Sequence, residues 1–180
     1  SMSYKSLKNF IFDLDSRGDL RTISSQVDPD LEMASIHLDE FERGGKALFF
    51  KNIKGSNFSA VSNIFGSLDR SRYLFRDSLQ IVKDLIEFKT NPISIFKNPF
   101  KSIFTALNVI YAIPKKVRFK NFNEISIKDL PQIKCWKNDG GAFITLPQVY
   151  SEDPENPGLM KSNLGMYRIQ ISGNDYIENK

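Results

Sequence analysis

The spacing of apolar residues predicts a helix near the start of the chain. Leu7, Phe10, Ile11 and Leu14 recur at intervals of three and four residues, which places them on one face of a helix. Gly18 follows closely and is a typical stop signal. The first element is therefore predicted to be an amphipathic helix.

A second helix is predicted to begin at the acidic, proline-containing segment 28–30. Asp28 offers a capping side chain, and Pro29 suits the first helical position because the N–H that it lacks has no helical partner there. The pair Gly44-Gly45 is expected to end this helix. The face predicted to be buried consists of Leu31, Ala34, Leu38 and Phe41.

Short apolar runs beside these helices predict strands. A brief strand is expected over residues 21–24, and the continuous apolar run 47–50 is typical of a strand covered on both faces. Residues 54–57 form a turn signal before another strand, predicted over 59–65. Strands that follow helices favour a layered α/β domain over an all-helical one.

The signals from Asp69 to Tyr111 are mainly helical. Pro92 and Pro99 divide this region into shorter pieces, because proline interrupts a helix and restricts the residue before it. The clearest of the predicted helices contains Leu79, Val82, Lys83 and Ile86.

After Pro114 the pattern changes to short strand-like runs separated by turns. The strongest turn signals are residues 138–141 and 153–158, which are rich in Asn, Asp, Gly and Pro. This is typical of the start of a β-barrel or sandwich, which needs further strands to close. The predicted strands cover residues 117–119, 124–127, 142–149 and 164–171.

The composition of the 180-residue chain is that of an ordinary globular protein, with 41% apolar and 26% charged residues. The single cysteine, Cys135, excludes an internal disulfide and indicates a reducing compartment. The single histidine, His37, is expected to be structural, since no residue of matching chemistry lies near it in the sequence. Fifteen phenylalanines predict an aromatic core, with Phe10, Phe41, Phe49, Phe65 and Phe143 as candidates.

No signal for secretion or membrane insertion is visible. No apolar run follows a basic stretch at the N-terminus, and the most apolar window, residues 104–113, is too short to span a bilayer. We therefore expect a cytoplasmic protein without a membrane span.

The net charge of +4 indicates only a mild preference for anionic partners. A basic cluster supports an alternative function, a non-catalytic α/β module that binds a partner or nucleic acid, although such a cluster is more often a solvated surface. Nucleic acid is the less favoured partner, because the glycine-interleaved aromatic residues of RNA-binding sheets are absent. A complete nucleotide site is not supported either, since neither G-x-G-x-x-G nor a P-loop occurs. The cluster comprises Lys97, Lys101, Lys115, Lys116, Arg118 and Lys120.

Taken in order, several segments resemble the UbiD family of carboxy-lyases. In the first half these are residues 18–20, 27–32, 44–50 and 63–67, with Arg70 shortly after. In the second half they are residues 130–136, 139–145, 153–154 and 163–170. The block 163–170, Asn-Leu-Gly-Met-Tyr-Arg-Ile-Gln, is the most specific, and the resemblance is faint between residues 71 and 120.

This resemblance implies a reversible, non-oxidative decarboxylase. Family members act on aromatic or α,β-unsaturated carboxylic acids with prenylated FMN, a divalent metal that is usually Mn²⁺, and often K⁺. A hydroxybenzoate of ubiquinone biosynthesis is the best-known substrate of the family, but the fold alone does not choose the substrate. The implied organisation is α/β (α+β): an N-terminal layered domain over 1–115, then the first strands of an incomplete flavin-binding split β-barrel over 116–180.

The resemblance also assigns roles to particular residues. Asn163 matches the family's asparagine ligand of the metal, and an amide oxygen is a suitable hard, neutral ligand for Mn²⁺. Arg168 matches an arginine beside the substrate carboxylate, where its planar fork suits a carboxylate. The backbone of Gly165, Met166 and Tyr167 would lie along the cofactor, and Thr145 would line the phosphate or cation site.

The spacing of the two main site residues leaves their relative orientation open. Asn163 and Arg168 differ in parity, so a regular strand would point them to opposite faces. Either a bulge lies between them or they serve different sides of the cofactor.

The family's histidine and glutamate ligands and its catalytic glutamates have no counterpart in this sequence. Asp175 and Glu178 lie in a polar tail without a partner that would shift their pKa values. We therefore interpret the chain as part of a longer enzyme, completed by a C-terminal half or an oligomer partner, or as a natural short relative. Alone, it is predicted to bind no flavin and to decarboxylate no substrate.

Overall fold

The computed structural model describes Tyr4 and residues 6–93, 99–110 and 124–171. The N-terminal half contains helices α1 (Leu7–Ser16), α2 (Glu32–Glu42), α3 (Leu68–Leu74), α4 (Arg76–Thr90) and α5 (Pro99–Ile110), and strands β1 (Leu20–Val27), β2 (Ala47–Ile53) and β3 (Ala60–Ser62). The C-terminal half contains strands β4 (Phe143–Ile144), β5 (Gln148–Glu152), β6 (Ser162–Met166) and β7 (Ile169–Gln170), with 3₁₀ turns at Ile127–Asp129 and Leu159–Lys161.

The N-terminal sheet has β2 at its centre. Strand β1 pairs with it in parallel and β3 pairs in antiparallel orientation. Successive side chains of β2 enter two different clusters: Ala47 packs with Leu14 and Leu74, whereas Leu48 packs with Met33. Because neighbouring side chains of a strand point to opposite faces, α1 and α3 cover one face and α2 covers the other. The predicted layered α/β arrangement and the doubly covered strand are confirmed.

The first helix matches its prediction. The Ser6 hydroxyl accepts a hydrogen bond from the Asn9 N–H at 3.3 Å and caps α1, and Leu14 is its buried residue. Gly18, at φ 78°, follows the end of the helix. The strand after it, β1, is longer than predicted and extends to Val27.

The second helix differs from its prediction in start and in buried face. It begins at Glu32, because Leu31 adopts φ 69° and breaks the helix there, while the Asp28 carboxylate accepts a hydrogen bond from the Asp30 N–H instead of capping a helix. The buried residues are Met33 and Glu40, with Ile36 partly buried against the core. Of the residues predicted to be buried, Leu31, Leu38 and Phe41 are exposed and Ala34 is half-buried.

The aromatic core is smaller than the sequence predicts. Phe50 is fully buried, and Phe10, Phe49 and Phe143 are half-buried. Phe41 and Phe65 are about half exposed, at 51% and 54%. The prediction was wrong for these two, since Phe41 stacks on His37 at the surface and Phe65 stacks on Phe75.

A buried carboxylate fixes the connection from α2 to β2. Glu40 is 6% exposed and accepts hydrogen bonds from the Lys46 N–H at 2.9 Å and from the Arg21 guanidinium at 2.7 Å. Arg43 also donates to it, at 3.2 Å. A Cβ on Gly45 would lie 2.2 Å from the Glu40 carboxylate oxygen, so only glycine leaves room for this carboxylate beside the turn.

A buried arginine joins the same turn to the start of α3. Arg70 is 3% exposed, and its guanidinium donates to the Gly45 carbonyl at 2.6 Å and to the Asn63 carbonyl at 2.7 Å. The Asn63 side chain donates in turn to the Lys46 carbonyl at 2.9 Å. We call Glu40, Gly45, Lys46, Asn63 and Arg70 the buried polar network.

A second network ties α1 to α3 and α4. The Asp13 carboxylate accepts hydrogen bonds from the Tyr4 hydroxyl, from the Tyr73 hydroxyl at 3.0 Å and from Arg76 at 3.2 Å. The guanidinium groups of Arg17 and Arg76 each lie 4.2 Å from the Tyr73 ring centroid. The hydrogen bond from Tyr4, with those from Tyr73 and Arg76, holds the pKa of Asp13 below its usual value.

The helices after α3 confirm the predicted helical region, but they expose apolar side chains. Leu79, Val82 and Ile86 of α4 are 37%, 50% and 57% exposed, and Phe100 of α5 is 88% exposed. Pro99 is the first residue of α5, a position where proline suits a helix. None of the helices in the described ranges is long and apolar enough to cross a membrane.

The C-terminal half forms two small sheets among its described residues. Strand β4 pairs with β7, and β5 pairs with β6, both antiparallel. The run predicted as one strand over 142–149 is divided by Leu146, which adopts φ 61°. Residues 124–127 form no strand but lead into a 3₁₀ turn closed by Ser126 and Asp129. The predicted turns at 138–141 and 153–158 are present, and the strand predicted over 117–119 lies outside the described residues.

The segment before β4 connects the two halves. Lys134 exchanges backbone hydrogen bonds with the loop after β1: its N–H donates to the Pro29 carbonyl at 3.0 Å, and its carbonyl accepts from the Leu31 N–H at 3.1 Å. Ile133 packs on the core cluster around Leu48. The Ile133 carbonyl then accepts a hydrogen bond from the Phe143 N–H at 2.9 Å, so the first residue of β4 is linked to the N-terminal core.

Replacing the buried carboxylate tests the importance of this network for stability. We expect Glu40→Gln to lower the free energy of unfolding by about 1.5–3 kcal/mol, because the amide lacks the charge that strengthens the hydrogen bonds from Arg21 and the Lys46 N–H, and its NH₂ group cannot accept from either. The exposed neighbour provides a matched control: Glu42→Gln, on the same helix, should change stability by less than about 0.5 kcal/mol. Urea denaturation measures both values, and equal small effects would contradict a stabilising role for Glu40.

The depressed pKa of Asp13 predicts a pH-dependent stability. A carboxyl group with a folded-state pKa below its ordinary value of 3.8 stabilises the fold above that value, and the contribution disappears as the pH falls through the folded-state pKa. The difference in unfolding free energy between the unsubstituted chain and Asp13→Asn should therefore be largest at neutral pH and shrink from about pH 5 downwards. Urea denaturation across a pH series measures it, with Asp15→Asn as the exposed control, and a difference independent of pH would contradict this assignment.

Candidate functional site

Asn163 lies on an open strand. It is the second residue of β6, opposite Ser151 of β5, and its side chain is exposed. Its amide makes no hydrogen bond within the described parts of the chain, so both the oxygen and the NH₂ group are open to a ligand. The position suits a neutral oxygen ligand.

The chain leaves the β5–β6 sheet between Asn163 and Arg168. Strand β6 ends at Met166, and the Tyr167 N–H donates to the Pro147 carbonyl at 3.1 Å. Arg168 lies in no strand, and the two residues after it, Ile169 and Gln170, pair with β4 as β7. Because the strand ends between the two site residues, the alternation of side chains along a regular strand does not apply to them.

The segment between them has a tight contact of its own. A Cβ on Gly165 would lie 2.6 Å from the Tyr167 ring, so the ring covers the glycine closely. Met166 and Tyr167 are 66% and 53% exposed. The Tyr167 ring therefore packs directly on Gly165, within the segment whose backbone the resemblance assigns to the cofactor.

Arg168 has a well-defined set of contacts. Its Nη2 donates to the Asp139 carboxylate at 2.6 Å, and its guanidinium carbon lies 3.6 Å from the centroid of the Phe143 ring and 5.4 Å from that of Trp136. We call Trp136, Asp139, Phe143 and Arg168 the arginine cluster. The hydrogen bond from Arg168 holds the pKa of Asp139 below its usual value, so this carboxylate is ionised at neutral pH.

The turn that carries Asp139 is itself fixed. The Asp139 N–H donates to the Trp136 carbonyl at 3.0 Å, and the Gln170 side-chain amide donates to the Gly140 carbonyl at 2.7 Å. Gly141 adopts φ 147°, a conformation that favours glycine. The sequence pattern predicts this turn. It does not predict that the turn holds Arg168, because Asp139 and Arg168 lie 29 residues apart.

Thr145 lies just beyond the β4–β7 ladder. Ile144 pairs with Ile169, so Thr145 and Arg168 are the next residues on the two strands. Thr145 is exposed, and no hydrogen bond joins it to Asn163 or Arg168 in the part of the chain that the structure describes. The register therefore brings Thr145 near Arg168 and leaves Asn163 on the other sheet.

The remaining residues with reactive side chains do not join this site. His37 lies on α2 with its Nδ1 atom buried and without a partner in the described ranges, and it stacks on Phe41. Cys135 is half-buried, and burial raises the pKa of its thiol above the usual value. Within the described residues no group of three or more His, Cys, Asp or Glu side chains is placed to hold a metal. Apart from Lys101, whose side chain is not described, the basic cluster lies outside the described residues, as do Asp175 and Glu178.

Comparison with known proteins identifies both halves of the chain. Residues 11–89 match the N-terminal domain of 3-octaprenyl-4-hydroxybenzoate carboxy-lyase, and residues 112–178 match the Rift-related domain of the same enzyme family. The two matches follow the order of the two halves in the fold. They define the class of the chain, an N-terminal portion of a carboxy-lyase-type α/β protein.

Similar sequences agree with this class. The chain is 37% identical over 171 residues to an uncharacterised protein of Chlamydia trachomatis, with 92% of this chain and 29% of the relative covered. It is 35% identical over 164 residues to a 4-hydroxybenzoate decarboxylase component from Chlamydia pneumoniae, with 86% and 27% covered. The chain thus spans less than a third of the length of these relatives, and it belongs to the UbiD family.

Solved structures show the same fold. Vanillic acid decarboxylase of Sedimentibacter hydroxybenzoicus, in its open form, matches with a TM-score of 0.66 and 26% identity over 96% of this chain and 37% of that one. The UbiD-class enzyme HmfF of Pelotomaculum thermopropionicum, in complex with prenylated FMN, matches with a TM-score of 0.61 and 21% identity over 97% and 37%. At that identity the second likeness shows the fold alone.

Proposed function

We propose that this chain is the N-terminal part of a UbiD-family decarboxylase that acts on an aromatic or α,β-unsaturated carboxylic acid. The observation that carries the proposal is the ordered match to two consecutive domains of one carboxy-lyase family, residues 11–89 and then 112–178. The decarboxylase relatives from Chlamydia pneumoniae and Sedimentibacter hydroxybenzoicus support the reaction class. The exact acid depends on residues that line the rest of the pocket.

The proposed reaction needs an oriented carboxylate, and Arg168 is suited to that task. A guanidinium carries five N–H donors and remains charged at any physiological pH. In the arginine cluster only Nη2 donates to a described residue, which leaves the other donors for a substrate carboxylate. Two parallel hydrogen bonds from such a fork would fix the carboxylate plane before the carbon–carbon bond breaks.

The proposed cofactor is prenylated FMN, held through a divalent metal such as Mn²⁺, with K⁺ as an additional ion. The residues present fit part of such a site: the free, exposed amide of Asn163 offers a hard neutral oxygen, and Thr145 offers a hydroxyl near Arg168. When bound, the flavin supplies the electron sink for decarboxylation. The remaining metal ligands and the acid-base carboxylates would come from a C-terminal half or an oligomer partner.

We further propose that the chain divides into an α/β domain over 1–115 and the first strands of a cofactor-binding barrel over 116–180. The small sheets β4–β7 and β5–β6 expose edges and apolar side chains, such as Leu164 at 63% and Met166 at 66%. Two-stranded sheets are rarely stable without further strands or a covering layer. The rest of the proposed longer enzyme would supply the further strands and the covering layer.

The gene sequence beyond the codon for Lys180 is the first test. The proposal expects an open reading frame that soon encodes a histidine and then a glutamate-rich stretch, since the family's other ligands follow the arginine. A stop codon directly after Lys180 would contradict the proposal for a single-chain enzyme.

The 180-residue chain alone should bind no flavin. We expect the purified chain, mixed with prenylated FMN and Mn²⁺ and then desalted, to retain no flavin absorbance, because one amide ligand cannot hold the metal and phosphate together. The complete gene product treated in the same way is the positive control. Retained flavin with decarboxylation of 4-hydroxybenzoate by the 180 residues would show that this expectation is wrong.

Removing the amide of Asn163 should weaken metal binding in the complete gene product. Loss of one ligand is expected to reduce Mn²⁺ affinity by about 10–100-fold, and flavin retention should fall with it, because the amide oxygen coordinates the metal directly in the proposed site. Calorimetric titration with Mn²⁺ measures the effect of Asn163→Ala. Asn156→Ala, in the exposed turn before β6, is the control, and equal affinities for both variants would contradict the assignment of Asn163.

A further inference from the structure

The Asp139 carboxylate is the ionic partner of Arg168 in the described part of the chain. The Asp139 side chain is 13% exposed, whereas the Arg168 side chain is 41% exposed. The less exposed member of the pair is thus the carboxylate on the turn, and the more exposed member is the cation. This geometry indicates that the Asp139 carboxylate is the fixed member of the pair and orients the solvent-accessible Arg168 guanidinium.

The turn around Asp139 is rigid for reasons independent of Arg168. Backbone contacts hold it to Trp136, and the Gln170 amide ties Gly140 to β7 at 2.7 Å. Strand β7 begins at the residue after Arg168, and its second residue, Gln170, anchors the turn that holds the arginine. The two ends of the ion pair are therefore fixed relative to one another by the β4–β7 ladder.

The aromatic rings add a second constraint. With its guanidinium carbon 3.6 Å from the ring centroid, Arg168 is stacked on Phe143, a residue of β4. An arginine side chain loses rotamer entropy when it is immobilised, and stacking with one ion pair offsets that loss only where the partners are already in place. Phe143 and Asp139 meet this condition.

From these contacts we propose that Asp139 is a positioning residue, which holds the Arg168 guanidinium flat on Phe143 with its remaining N–H donors free for a carboxylate. The inference rests on the proposed function only for the identity of that carboxylate as a substrate. Asp139 itself touches neither substrate nor cofactor in this account.

The competing interpretation is that Asp139 and Arg168 form a surface ion pair without a positioning role. It predicts that removing the Asp139 charge leaves the rotation of the Arg168 guanidinium unchanged. Exposed pairs contribute little and leave both side chains mobile. Asp69 pairs with Arg17 outside the arginine cluster and its side chain is 81% exposed, so Asp69→Asn is the control for removal of an exposed carboxylate.

The decisive experiment measures rotation of the Arg168 guanidinium by NMR on the ¹⁵N-arginine-labelled chain. We expect Arg168 to show slow rotation, and Asp139→Asn to accelerate it by about tenfold, the factor expected for the loss of one charge-assisted hydrogen bond. Asp139→Glu, which keeps the charge, should restore part of the slow rotation, whereas Asp69→Asn should leave Arg168 unchanged. Unchanged rotation in Asp139→Asn would overturn the proposal.

Trp136 provides a check that the variants fold. It is the single tryptophan of the chain, and its fluorescence spectrum in Asp139→Glu should match that of the unsubstituted protein. If Asp139→Asn unfolds the turn, Asp139→Glu still decides the matter, because a folded Glu variant in which Arg168 rotates about tenfold faster than in the unsubstituted protein would contradict positioning by the carboxylate charge.

A kinetic measurement separates this inference from the proposed function. In the complete gene product, Asp139→Asn should lower kcat/KM for 4-hydroxybenzoate by about tenfold with flavin retention unchanged. No turnover by the unsubstituted enzyme on any carboxylic acid would count against the proposed function, while the rotation of Arg168 still decides the positioning. Turnover equal to that of the unsubstituted enzyme in Asp139→Asn would overturn the role of Asp139 in the reaction.

Discussion

The start of the central strand β2 is the constraint on which the described fold depends. The chain must turn sharply from α2 into a strand that is buried on both faces, and such a turn leaves several backbone groups without partners in the sheet. The buried carboxylate of Glu40 and the buried guanidinium of Arg70 satisfy them, by accepting from the Lys46 N–H and donating to the Gly45 carbonyl. Two buried charges are tolerated here because the Glu40 carboxylate accepts three hydrogen bonds and both Nη atoms of Arg70 donate to backbone carbonyls. The buried Nε of Arg70 has no partner among the described residues.

From this strand a continuous series of contacts leads to the candidate site. Strand β2 fixes β1, the loop after β1 holds Lys134 through two backbone hydrogen bonds, and the Ile133 carbonyl accepts from the Phe143 N–H. Phe143 begins β4, which pairs with β7 and supports the ring face on which Arg168 stacks. The N-terminal half thus does more than precede these strands, because the segment packed on it is hydrogen-bonded to Phe143, the residue on which Arg168 stacks.

Sequence patterns predicted where helices and strands form better than they predicted which side chains those elements bury. Helix α1 and strand β2 were predictable because their apolar spacing and their stop signals are local. The buried face of α2 was not, since Leu31 adopts a positive φ and shifts the start of the helix, so that Met33 and the polar Glu40 face the core. A buried glutamate gives no apolar signal, and the partners that make its burial favourable lie elsewhere in the chain.

The same limit applies to the site residues, because local sequence patterns do not encode contacts between distant parts of the chain. The resemblance selected Asn163 and Arg168, and their difference in parity left a bulge or two sides of the cofactor as alternatives. In the structure, strand β6 ends at Met166, before Arg168. The contact between Asp139 and Arg168 depends on strand pairing over a long sequence separation, which no local pattern encodes. The metal and cofactor roles of Asn163, Gly165, Met166, Tyr167 and Thr145 remain predictions.

A crystal structure of the complete gene product with prenylated FMN and Mn²⁺ tests the central claim most directly. The account predicts that the Asn163 side-chain oxygen coordinates the metal and that the Arg168 guanidinium faces the substrate pocket beside the flavin. A metal bound by other residues, with the Asn163 amide directed into solvent, would contradict the assignment of this strand to the cofactor site.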